Sequence, residues 1–232
     1  MNTTTAPKTL QMGRPGLVGS LARRSAFDWL FALLVLAGAG YAFQRYAGSM
    51  DGYEKGILAG SVPAMVALGW FWGPLRVLGL GVGAATLTAI ALYNRHLDGF
   101  GADLAQADSV FLLKYFLSSQ SAILWMAVLF CMSTVFYWIG VLARARTEGA
   151  AGTDAAGGTA GGDNTALQMG TRMAWAGVFM ALTGTLVRWF ESHQIAPDIG
   201  HIPVSNLYEV FVLFCWLTAL FYLYFEQHYR TR

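Results

Sequence analysis

Histidine and cysteine are the residues through which this chain could handle a metal or an electron, and both are few. The four histidines, His96, His193, His201 and His228, all fall outside the long apolar runs, and His193 and His201 share one short loop. A loop imidazole can ligate a metal or hydrogen-bond a carboxylate. The two cysteines, Cys131 and Cys215, lie inside apolar runs with no Cys-x-x-Cys or Cys/His spacing, so they read as small buried hydrophobes. Other chemical signatures are missing: there is no G-x-S-x-G, no H-E-x-x-H and no phosphate-cradling G-x-x-x-x-G-K. No ionisable residue stands at mid-span, where a pump would need one. Asp28 and Arg188 stand near span ends, where their tips reach the interface.

The elements that must position the loop are apolar helices. Of 232 residues 56% are hydrophobic and 12% charged, and the charges cluster between long uncharged runs, which is a bilayer composition. Apolar runs at about 27–47, 57–73, 76–93, 119–142, 173–190 and 207–225 are each able to cross a hydrocarbon core roughly 30 Å thick. The expected fold is therefore all-α, a polytopic membrane protein with about six transmembrane helices. Trp72-Gly73-Pro74 separates the second and third runs as a tight helical hairpin, because Pro74 ends one helix and can open the next. A net charge of +2, with no basic and aromatic residues clustered in a soluble stretch, sets nucleic acid aside.

Ten of the fifteen Lys and Arg residues fall on one side of this topology and five on the other, which places both termini in the cytoplasm. The loops at 48–56, 94–118 and 191–206 are then outside. Residues 1–25 read as a cytoplasmic N-terminal segment and 26–146 as a four-helix membrane region. The Gly- and Ala-rich stretch 147–168 reads as a flexible cytoplasmic linker, and 169–232 as a two-helix membrane domain with its outer loop at 191–206. In the 94–118 loop, Asp98, Asp103 and Asp108 alternate with apolar residues, a pattern for a short amphipathic helix on the outer leaflet or for an irregular loop.

The segment from Arg188 to Glu209 is the densest in possible function. Part of it has a structural explanation. Asn206 followed by Glu209 ahead of an apolar run is a capping-box arrangement, and Trp189, Phe190 and Tyr208 suit interface anchors.

The string Gly200-His201-Ile202-Pro203-Val204-Ser205-Asn206-Leu207-Tyr208-Glu209, preceded by Arg188-Trp189 at a span end, resembles the cytochrome c maturation proteins of the CcsA/ResC type. These are the system II haem-handling family, in which some members are called CcsB. The match covers about residues 172–225. The resemblance implies a haem cofactor and cytochrome c-type biogenesis: haem presented on the outer face of the bacterial inner membrane for attachment to apocytochrome c, with a ResB-type membrane partner. Residues implied near haem are His201, Pro203, Asn206, Tyr208, Glu209, Trp189 and Arg188; no metal ligand is assigned, His193 has no family counterpart, and His201 and His193 stand only as loop histidines able to ligate.

Three departures from the family pattern stand beside this reading. The family's W-G-x-x-W-x-W-D haem-presenting segment is missing, so no catalytic residue is assigned. A complete member would also continue with further helices beyond Arg232, which makes a C-terminal half an expected partner. Gln194 to Ile199 lengthens the loop relative to the family pattern. Axial ligation is not carried onto His201, whose matching position belongs to the loop motif. The competing readings are a non-catalytic membrane scaffold and a small-molecule transporter.

Overall fold

A computed structural model describes residues 24–48, 50, 52–94, 104–151, 165–195, 203–204 and 206–229. Among them there are helices and no strand. They are α1 (Ala26–Tyr46), α2 (Gly52–Phe71), α3 (Gly73–Tyr93), α4 (Gln106–Ser109), a π-helical turn (Leu113–Leu117), α5 (Ser119–Ala151), α6 (Thr165–Ile195) and α7 (Leu207–Tyr229). Five of these helices are long and apolar enough to cross a membrane, and a sixth apolar stretch in α2, Lys55–Phe71, is shorter. The chain is an all-α polytopic membrane protein. Trp72 alone separates α2 from α3, with its N–H still bonded to Leu68 O and its carbonyl accepting from the Leu75 N–H.

The chain divides into two compact units, up to Val77 and from Leu78 onward. In the first unit Ser25 caps α1 by a reciprocal capping box: its Oγ accepts from the Asp28 N–H at 3.2 Å, and Asp28 Oδ2 accepts from the Ser25 N–H at 2.8 Å. Asp28 is buried and also takes the Arg76 guanidinium. The expectation that Asp28 reaches out to the interface is thus corrected: the cap and the arginine satisfy the carboxylate inside the unit. Trp70 closes the group, with Nε1 donating to Asp28 O at 3.1 Å and its carbonyl accepting from Arg24 at 2.7 Å.

In the second unit α5 and α6 form an antiparallel pair held by glycines. A side chain added at Gly140 would meet Leu167 at 2.6 Å, at Gly170 it would meet Tyr137 at 3.1 Å, at Gly177 Phe130 at 2.5 Å, and at Gly184 Ile123 at 3.0 Å. The register is constant, 140 with 167, 137 with 170, 130 with 177 and 123 with 184, so each step of seven along α6 matches a step of seven along α5. Two helical turns take about seven residues, so Gly170, Gly177 and Gly184 lie on one stripe. Small residues let the helix backbones approach where apolar burial alone gives no drive within lipid. This pairing keeps the helices on both sides of the 147–168 stretch in the second unit. The helices on either side of the glycine-rich stretch pack on each other, α5 runs to Ala151, and α6 starts at Thr165.

Two further contacts complete the unit. Gly81 of α3 meets Phe179 and Tyr93 meets Glu191, a parallel register between α3 and α6. Arg188 meets Glu209 and Thr171 meets Glu226, an antiparallel register between α6 and α7. Within the 94–118 loop the described part is helical and two-faced. Leu113 and Leu117 are buried in a cluster with Ala89, Tyr93 and Val187, and Phe111 and Tyr115 stay exposed. Cys131 and Cys215 are exposed, not buried as expected, because no other described helix covers those faces of α5 and α7.

Candidate functional site

Buried carboxylates, absent from the apolar runs as read from sequence, appear where helices end. Glu191 lies past the expected end of its span, but α6 continues four residues beyond it and turns the side chain inward. It accepts the Tyr93 hydroxyl at 2.6 Å, the Ser119 backbone N–H at 3.0 Å and the Ser119 hydroxyl. Ser119 opens α5, so an anion from α6 caps the N-terminus of a 33-residue helix, where the exposed amides and the helix dipole favour negative charge. No cation among the described residues pairs with it.

The same arrangement recurs at the opposite end. Glu226 of α7, 5% exposed, accepts the Thr171 hydroxyl at 2.8 Å and the Tyr137 hydroxyl at 3.1 Å. Each end thus joins one carboxylate to one tyrosine and one small hydroxyl drawn from other helices. Thr171 and Glu191 are 20 residues apart on α6, about 30 Å at 1.5 Å per residue, which is the thickness of a hydrocarbon core. Tyr137→Phe removes one of the two hydroxyls on Glu226 and is expected to lower unfolding stability by about 1–2 kcal/mol, measured by thermal unfolding in detergent.

The residues singled out from sequence gather at the Glu191 end. Arg188 Nε lies 3.6 Å from Glu209 Oε1, and Glu209 is buried whereas Arg188 is about one-third exposed. Asn206 Oδ1 accepts the Glu209 N–H at 2.9 Å, which is one half of the expected capping box. Tyr208 is half-exposed and Pro203 buried. Trp189 has its indole Nε1 buried with no hydrogen-bond partner. His193 Nδ1 lies 3.0 Å from Trp189 O, and the two rings are 6.3 Å apart. The carbonyl can only accept, so Nδ1–H is the donor, and in the neutral ring Nε2 would be the acceptor. His201, with Gly200, Ile202 and Ser205, lies outside the described residues.

A cleft of about 820 Å³ opens between α5 and α7 over Ala174 of α6. Phe130, Trp138, Phe211 and Phe214 make its walls, and Ser133, Tyr137 and Tyr222 its polar floor. Its lining holds no histidine, and Ser133 and Thr134 already donate to Gly170 O and Phe130 O. The Glu191 end, by contrast, carries side chains of types that could hold such a group. There an imidazole keeps a free lone pair, an arginine is only partly engaged, and an indole N–H has no acceptor. Among the described residues no three His, Cys, Asp or Glu cluster as a self-contained metal cage.

The fold and these sites define a polytopic helical membrane protein with a buried carboxylate at each end of its helical bundle. Comparison with models of known families, with characterised proteins and with solved structures finds no match to this chain.

Proposed function

We propose that this protein is a membrane component of cytochrome c maturation that holds haem at the outer face of the bacterial inner membrane for attachment to apocytochrome c. A ResB-type protein would be its membrane partner. The observation that carries the reading is the loop motif ending Asn206-Leu207-Tyr208-Glu209, whose carboxylate is joined to Arg188 across the α6–α7 pair. Lys and Arg asymmetry supports putting the Glu191 end outside. There α6 and the start of α7 frame the loop from both sides. Asn206 fixes where α7 begins, Glu209 ties α7 to Arg188, and His193 keeps Nε2 of its neutral ring as an acceptor. Haem, when bound, supplies the vinyl groups that take up the cysteine thiols of the substrate. The chain's own residues hold the group and align its edge, and imidazole is a standard ligand for such iron.

The test is a visible spectrum of the purified chain in mild detergent, oxidised and reduced, alone and with a ResB-type membrane protein. A Soret band from the chain alone, lost in His193→Ala or His201→Ala, supports the reading and identifies the ligand. A band only in the presence of that partner makes this chain a supporting half-site. No band in either preparation overturns the haem reading in favour of a scaffold.

A further inference from the structure

We propose that the cleft between α5 and α7 is a binding site for a neutral, lipid-soluble hydroquinone that reaches it from the bilayer. The inference is independent of the haem reading and concerns a different part of the fold.

The cleft lies within the apolar length of the helices. It runs from Phe130 to Val141 on α5 and from Phe211 to Tyr222 on α7, about 16 Å along each wall. α5 and α7 each pack on α6, whose small Ala174 leaves the base of the cleft open. Trp138, Phe211 and Phe214 are 65%, 60% and 60% exposed, so the walls meet lipid and a ligand must arrive dissolved in it. The volume of about 820 Å³ falls in the range of about 300–1,000 Å³ that holds small molecules.

The lining sets the charge and the hydrogen-bonding sense of the ligand. It contains no Asp, Glu, Lys, Arg or His, so a charged head placed there would be desolvated with nothing to pair it. Three of its hydroxyls have their single proton turned into the protein. Ser133 donates to Gly170 O at 2.8 Å, Thr134 donates to Phe130 O at 2.9 Å, and Tyr137 bonds Glu226 and Thr171, neither of which lines the cleft. A hydroxyl has one proton and two lone pairs, so what these three keep for a ligand is acceptance. A ligand O–H satisfies them and a bare carbonyl does not. Thr218 adds, from α7, an exposed hydroxyl able to serve in either sense.

Aromatic rings stand on both walls, Phe130 and Trp138 on α5 and Phe211 and Phe214 on α7. Rings in offset or edge-to-face contact gain more than their burial alone, which selects an aromatic alcohol over a fatty one. A hydroquinone carries a donor on each side of its ring, and this cleft has hydroxyls on both walls. Its quinone has the same ring outline with acceptors only, so the two forms separate hydrogen bonding from fit.

The experiment uses the full chain in phosphatidylcholine nanodiscs without oxygen. It is titrated with a decyl-substituted benzohydroquinone and, separately, with the corresponding quinone, followed by thermal unfolding, whose midpoint a bound ligand raises. The hydroquinone is expected to bind about fivefold more tightly than the quinone, the worth of one neutral hydrogen bond. Thr218→Phe, which fills the cleft from an exposed position, should abolish binding of both forms. Ser133→Ala combined with Thr134→Val should reduce the preference and leave the affinity for the quinone unchanged. Equal binding of the two forms to the unaltered chain, tighter binding of the quinone, or binding of neither overturns the proposal without needing any variant to fold. Undiminished binding in Thr218→Phe places the ligand elsewhere and overturns it too. If decylbenzene competes as well as the hydroquinone the cleft is an acyl-chain groove, and if decanol does so it takes any lipid alcohol; in either case the proposal is lost.

Discussion

Glu191→Ala lowers the stability of the helical unit by about 3 kcal/mol or more, since it strands three donors at once at roughly 1–3 kcal/mol each. The Tyr93 hydroxyl, the Ser119 hydroxyl and the Ser119 N–H all point at this one carboxylate from two other elements. Tyr93 is 1% exposed and Ser119 2%, so water has little means of replacing the lost acceptor. Glu191→Gln keeps an amide oxygen for the backbone N–H and is expected to lose only about 1 kcal/mol, which separates loss of the acceptor from loss of the charge. Thermal unfolding in detergent measures both. An alanine variant within about 0.5 kcal/mol of the unaltered chain, the usual range for an inconsequential surface change, would show that the carboxylate holds nothing together.

Gly184→Val produces the second large effect, forcing α5 and α6 apart. The added Cβ would fall 3.0 Å from Ile123, 3.1 Å from Ala122 and 3.4 Å from the Ile123 backbone nitrogen, and backbone cannot swing aside as a side chain tip can. Overpacking in a filled interior costs about 1–3 kcal/mol, and the β-branch presses a second carbon into the same gap. Gly177→Val acts against the Phe130 ring in the same way. Gly83→Ala is the control, since nothing lies within 4 Å of a side chain there. Cysteine cross-linking between positions 130 and 177, expected to form readily in the Phe130→Cys/Gly177→Cys chain, should fail once Gly184→Val is added. If cross-linking and stability are unchanged, the stripe of glycines does not set the spacing.

The helix bodies were legible because nothing but a helix satisfies its own backbone across 20 apolar residues, so uninterrupted hydrophobicity located them to within a few positions. Their ends were less so. The span expected at 173–190 is a helix from Thr165 to Ile195, because hydrogen bonding continues past the point where the lipid stops. That overrun made Glu191 look like a loop residue. What buries it lies 72 residues back at Ser119 and 98 back at Tyr93, separations that no local pattern encodes. Glu226 was hidden for the same reason, since a charge near a span end reads as solvated until its tertiary partners are known. The glycines at 170, 177 and 184 recur every seven residues, a signal of the α5–α6 pair that a reading by hydropathy passes over. Arg188, Asn206 and Glu209 were readable as a group because the cap and the ion pair draw on residues close to one loop.

The two buried carboxylates, Glu191 and Glu226, also act as a ruler. Each is buried within protein at one edge of the apolar layer, tied to helices that cannot slide past one another without breaking the glycine register. A bilayer much thinner than the spacing between them would leave apolar helix surface in water, and a thicker one would draw a carboxylate and its hydroxyls toward hydrocarbon. A single span relieves such mismatch by tilting at a cost of only fractions of a kcal/mol per Å. This bundle is pinned at both ends and has less of that freedom, so the membrane is the softer partner and must thin or thicken around it.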